Sequence, residues 1–235
     1  MSKHIQKSTR TSHQYYEGKH RFEHWYVNNQ VYFITARVRD RLPAFESEHA
    51  KTIFWDRFDH YTTEAAFVPW VTSLLDNHYH TLGYCREGAK LKTMMQRLHG
   101  SVAKLVNDLL EAQFMGPEGS ETTGTSGGFV DSGDSGDSGG SGGASCLSGT
   151  RLTRFWRDAK GREYFDGCIR DKKQCRLAYR YTLTQSHRHG ICSDWRSYPH
   201  THVHIALEPA ITRARHLNAL LESVPYKRYL PSRNR

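Results

Sequence analysis

Residues 116–150 most constrain what this chain can fold into. The stretch holds 12 of the 19 glycines, five acidic residues and no basic one, with repeats such as Asp134-Ser135-Gly136-Asp137-Ser138-Gly139. A segment with so little to bury does not recover the entropy lost on ordering, so it reads as a flexible insertion. It divides a chain of 235 residues into a longer first part and a short second one. The second part lacks a self-sufficient set of strands. One domain built from 21–115 and 151–208 is therefore expected, with a flexible basic N-terminus at 1–20 and a basic C-terminal tail at 209–235.

Charge follows the same division. Setting aside the insertion's five acids leaves 33 basic residues against 19 acidic ones, a folded remainder near +14. Such a surplus favours a polyanionic partner, nucleic acid first. The five cysteines (Cys85, Cys146, Cys168, Cys175 and Cys192) are odd in number and contain no Cys-x-x-Cys. That argues against a disulfide framework or zinc ribbon and for a reducing compartment. No signal peptide is read at Met1-Ser2-Lys3-His4, and no apolar run nears the ~18 residues of a membrane span. A cytoplasmic protein without a membrane partner is expected.

Periodicity predicts the elements. Val27 to Val38 reads as a strand apolar on both faces. Residues 47–65 read as a helix with Ser47 as N-cap and Ile53, Phe54, Phe58 and Tyr61 at helical spacing. Phe67 to Leu75 and His78 to Cys85 form a hairpin around the turn dipeptide Asp76-Asn77. Leu91 to Ala112 is a second long helix. Tyr164 to Ile169 is extended, and a helix capped by Asp171 runs to about His189, with Gly190 at C′.

Two short motifs carry the chemistry. His78-Tyr79-His80 sets two imidazoles on one face of a strand, because side chains at i and i+2 point the same way. Tyr181 and Gln185, at i and i+4, share one face of a helix. Two imidazoles and an amide oxygen can hold a divalent cation, leaving positions open for a phosphate oxygen. The phenol can attack phosphorus and form a covalent phosphotyrosine. A free phenol, with pKa ~10, needs activation by the cation or a nearby base. Rivals exist. His-x-His also occurs at 187/189, where on a helix the two rings diverge, and at 200/202 and 202/204, where one strand face could carry three imidazoles. Tyr179 has Leu183 at i+4, so it has no amide partner.

The same motifs resemble the insertion-sequence tyrosine transposases of the HUH superfamily, most of all the REP-associated branch. Asn77-His78-Tyr79-His80 resembles the Asn-His-x-His of the central strand. Met95-Gln96-Arg97-Leu98-His99-Gly100-Ser101, leading to Asn107, resembles the following helix. Tyr164-Phe165-Asp166 and Ile169-Arg170-Asp171 resemble the approach to the tyrosine helix. Arg180-Tyr181 with Gln185 resembles that helix itself, and Asp194-Trp195 with Ser197-Tyr198 the segment after it. The resemblance covers about 22–205 apart from the insertion. It implies an α+β fold, an antiparallel sheet with helices packed on it in a ferredoxin-like layout. It implies that His78, His80 and Gln185 hold Mg²⁺ or Mn²⁺ and that Tyr181 is the nucleophile. The implied substrate is single-stranded DNA, often with a hairpin, cleaved to a 5′-phosphotyrosine and a free 3′-OH by a monomer or homodimer.

Arg151, Arg154, Arg157, Arg162, Arg180 and Arg188 are candidate phosphate contacts, and Trp25, Tyr26, Trp156 and Trp195 are aromatics that could stack on bases. Two other readings compete. A replication or conjugation nuclease of the same superfamily would place its tyrosine before its histidines, which here could only pair Tyr181 with His202 and His204. A non-catalytic single-strand-binding module would make the histidines incidental.

Overall fold

The computed structural model describes residues 26–115, 151–157 and 161–220. The expected flexible segments at 1–20 and 116–150, together with Trp25, Cys146 and residues 221–235 of the tail, lie outside the described residues. Strands β1 (Gln30–Arg37), β2 (Phe67–Leu75), β3 (His78–Cys85) and β4 (Tyr164–Cys168) alternate with helices α1 (Glu48–Glu64) and α2 (Gly88–Met115) as strand–helix–strand–strand–helix–strand. They pair antiparallel in the order β4-β1-β3-β2, and β5 (Thr201–Val203) adds to the free edge of β2. The first four strands have the ferredoxin-like arrangement, so the α+β class expected from the sequence is the one observed. No helix among the described residues is long and apolar enough to cross a membrane.

The sheet is covered on both sides, which is why β1 is apolar on both faces. Tyr32, Ile34 and Ala36 meet Phe54 and Phe58 of α1 and Leu91, Met95, Leu98 and Val102 of α2 in one core. Val31, Val71 and Leu82 look the other way, towards α3 (Lys172–Leu183) and α5 (Leu207–His216). Helix α5 crosses the expected 208/209 boundary. Ala210, Ile211 and Ala214 are buried in the second core with Ala219 and Leu220, so residues 209–220 belong to the fold and not to a tail. Pro69 interrupts β2 at a bulge, where a missing N–H is tolerated. There the carbonyl of Trp70 accepts from the amides of His204 and Ile205, bringing in the chain after β5.

The helix expected from Asp171 to His189 is broken. Asp171 caps it, accepting from the amide of Gln174 at 2.7 Å. Helix α3 then stops at Leu183, Thr184 leaves helical geometry (φ −92°, ψ 13°), and a single turn, α4 (Gln185–Arg188), follows. The Thr184 hydroxyl donates to the carbonyl of Arg180 at 3.0 Å, the same bond that Thr182 makes to Ala178 within the unbroken helix. Gly190 ends the turn at φ +70°, as its expected C′ role requires.

Candidate active site

The two cores leave a polar island on the α3 side of the central strand. In register, Thr35 and Ser73 flank His80, and Arg37 and Leu75 flank His78. His78 and His80 are each 3% exposed, with ring centroids 5.0 Å apart. Burial is the main cause that lowers both imidazole pKa values, helped by the positive charge of Arg37. His78 falls to about 4 and His80 well below its ordinary range, so both rings are neutral at pH 7.

Two amides fix the orientation of this cluster. Asn77 donates through its nitrogen to the carbonyl of Arg41 at 2.9 Å, which turns its oxygen to His78 Nδ1 at 2.6 Å. His78 therefore donates from Nδ1, and a neutral ring then has a bare lone pair at Nε2. His80 Nδ1 meets the Thr35 hydroxyl at 2.7 Å, a partner that accepts the same tautomer. Gln185, 1% exposed, donates from its nitrogen to the carbonyl of Tyr181 at 2.8 Å. Its oxygen is thus left for the histidines, where as an acceptor it favours the protonated form of each.

The donor set passes a chemical test for a cation. Bare imidazole nitrogens facing an amide oxygen are acceptors facing acceptors, an arrangement that a positive ion relieves. Two neutral nitrogens and one amide oxygen, with no carboxylate, suit a divalent metal that keeps open positions. Among the described residues no group of three or more His, Cys, Asp or Glu could hold a metal, so a three-ligand site at these histidines would need the glutamine.

Tyr181 lies over this cluster in the same chain. Its ring meets His80 edge-on at 5.1 Å between centroids and Phe33 at 5.9 Å, and it remains 39% exposed. The guanidinium of Arg188 sits 5.0 Å from its centroid. Tyr179 points into the second core, donating its hydroxyl to the carbonyl of Ile205 at 2.9 Å. The rival histidines serve packing. His200 contacts Glu48 at 2.9 Å and accepts from Trp55 Nε1 at 3.2 Å. His202 stacks on Trp55 at 3.8 Å, and His204 lies against Phe58. These rings dock β5 onto α1 on the reverse face of the sheet, which also removes the pairing of Tyr181 with His202 and His204.

The candidate arginines divide between surfaces. Arg188 reaches the site, Arg162 lies near the exposed Phe165 ring, and Arg180 is exposed on α3. Arg151 pairs with Glu111 at 3.1 Å and, with Arg154 and Arg157, lines a cleft beside α2 on the reverse layer. Of the candidate stacking aromatics, Trp156 is buried in the first core, Tyr26 bonds to Tyr164 at 3.0 Å and Trp195 is half-buried under Arg196. Sequence reasoning missed Thr35, whose role depends on a strand pairing 45 residues away. It set His189 aside as half of a diverging helical pair, whereas the break at Thr184 brings its ring to 5.0 Å from that of His78. A His-rich helix end offers no signal for that return.

No protein-family profile matches this chain, and no curated protein does. A solved structure, a REP-associated tyrosine transposase bound to a REP hairpin, shares its fold with probability 1.00 and a TM-score of 0.50, over 77% of this chain and 80% of that one. The two are 12% identical, so the likeness is one of fold.

Proposed function

We propose that this chain is a tyrosine transposase of the HUH type, a single-strand DNA endonuclease and strand transferase. The observation that carries the reading is the conjunction at one point of the sheet. Gln185, held by the carbonyl of Tyr181, turns its oxygen to His78 and His80 while the Tyr181 ring lies against His80. The shared fold with a hairpin-bound transposase supports a nucleic-acid partner, as does the basic surplus of the chain.

In this reading His78, His80 and Gln185 hold Mg²⁺ or Mn²⁺, an ion that when bound polarises the scissile phosphate and stabilises charge on the displaced oxygen. Asn77 and Thr35 keep the two imidazoles in the ligating tautomer. Arg37 and Arg188 bias the site towards an anion. The Tyr181 hydroxyl loses its proton and its oxygen attacks phosphorus. The bond to the 3′ oxygen breaks, and that oxygen takes up a proton as a free 3′-OH. The phosphate stays joined to the 5′ oxygen of the other strand segment, which is now held on the protein as an ester of Tyr181. A second 3′-OH can reverse the step, so one phosphodiester is exchanged for another without an external energy source.

Labelled single-stranded hairpin DNA incubated with the protein and Mn²⁺ should give an adduct that survives denaturation. Tyr181→Phe should abolish it. Persistence of the adduct in that variant would remove Tyr181 as nucleophile. Binding without any adduct, across hairpin substrates and both metals, would favour a non-catalytic binding module.

A further inference from the structure

The sheet face that carries His80 does not end at Tyr181. In the same cross-strand row, Thr35 separates His80 from Phe165 on the edge strand β4. Paired residues project from the same face, so Phe165 stands two strand spacings from His80, roughly 10 Å. Helix α3 does not cover it. Phe165 is 36% exposed. Its neighbour along that face is Gly167, where an added Cβ would lie 3.4 Å from the ring, so the absent side chain gives the ring a flat floor. The Arg162 guanidinium stands 5.8 Å from its centroid. Phe33, opposite Gly167, stacks parallel to His80 at 5.7 Å and meets Tyr181 edge-on, so aromatic surface runs from the nucleophile towards the sheet edge.

From this we infer that Phe165 is a stacking platform for an unpaired DNA base next to the phosphate at Tyr181. The inference rests on the single-strand DNA reading and adds a subsite to it. A flanking nucleotide is the right size for the interval. Its base would lie on the exposed ring over Gly167, and its phosphate would fall to Arg162, the pairing of aromatic face and cation by which single strands are held without sequence readout.

Binding without cleavage tests this separately from the adduct. Single-stranded oligonucleotides carrying 2-aminopurine at each position in turn are titrated with the full-length protein lacking metal. One position should be quenched by the wild type and by Phe165→Trp, and not by Phe165→Ala. Phe165→Ala should weaken binding by about 5- to 150-fold, the ~1–3 kcal/mol that base–aromatic stacking is worth. The ring is partly buried, so this variant should lose some melting temperature but remain folded under the binding conditions, which its melting curve checks. Removing the quenched base from the DNA should weaken wild-type binding by a similar factor and leave Phe165→Ala unaffected. Equal quenching by Phe165→Ala, or losses that multiply when both changes are made, would overturn the platform while leaving the Tyr181 assignment standing. Loss of the adduct with quenching intact would do the reverse.

Discussion

Asn77 touches no atom of the proposed chemistry, yet it decides which nitrogen of His78 is bare. Replacing it with alanine removes the acceptor that holds the Nδ1 proton. Mn²⁺ affinity measured by calorimetry should then fall roughly 10- to 100-fold, the usual cost of losing such a partner. Gln185→Ala should weaken Mn²⁺ at least as much. His99 offers a separate check on charge. It is 3% exposed, meets the Tyr79 hydroxyl at 3.0 Å, and burial pushes its pKa down to about 3. The unfolded chain therefore binds a proton below about pH 6.5 that the folded chain refuses. Stability is fully present above that pH and declines as pH falls towards 3, by up to ~1.4 kcal/mol per pH unit. Urea titrations of His99→Leu between pH 6.5 and 5 should show a slope smaller by that one proton. At this scale the sequence was legible for which side chains meet, because the spacings of His78 with His80 and of Tyr181 with Gln185 set each pair on one face, and the fold brings the two pairs together. It gave no role to Thr35 or to the Phe165 ring and set His189 aside as one of a diverging pair, because all three matter through pairings and a break that spacing does not encode.

Among the elements, β5 shows how a histidine run can mislead. His200, His202 and His204 offered a rival metal face, but each ring is engaged by α1. His202→Ala should cost about 1 kcal/mol of stability from the lost stack on Trp55, read by urea denaturation, and leave Mn²⁺ affinity unchanged. The hairpin β2–β3 was readable to the residue, since Asp76-Asn77 marks its turn and β-forming residues flank it on both sides. The break at Thr184 was not. Leu183, Thr184 and Gln185 keep helical periodicity, and the Thr184 hydroxyl bond to Arg180 is one that Thr182 also makes within the unbroken helix, so nothing local marks the kink. Gly190→Ala, at φ +70°, should destabilise the protein by about 1 kcal/mol, checked by the same denaturation.

For the whole molecule, the chain re-enters the fold beside the helix it left. The Asn107 side chain accepts from the amide of Leu152 at 2.8 Å and donates to its carbonyl at 3.2 Å, and Arg151 pairs with Glu111. Replacing 116–150 with about eight Gly/Ser residues should keep adduct formation and raise stability by about 1 kcal/mol through the shorter loop, measured as a shift in the denaturation midpoint. That two chain segments complete one sheet was legible from the poverty of the second segment; that α5 joins the second core was not, because its alanines resemble an ordinary basic helix. The bond from Gln185 to the carbonyl of Tyr181 has one more consequence. Nucleophile and third ligand travel on a single piece of chain, while the two histidines stay with the sheet. Lifting that piece would leave a two-ligand remnant that grips an ion poorly. In the proposed site, the strength with which Mn²⁺ is held therefore becomes a gauge of whether the tyrosine is seated, and any DNA that presses the helix home should tighten the metal by the same factor that the metal tightens the DNA.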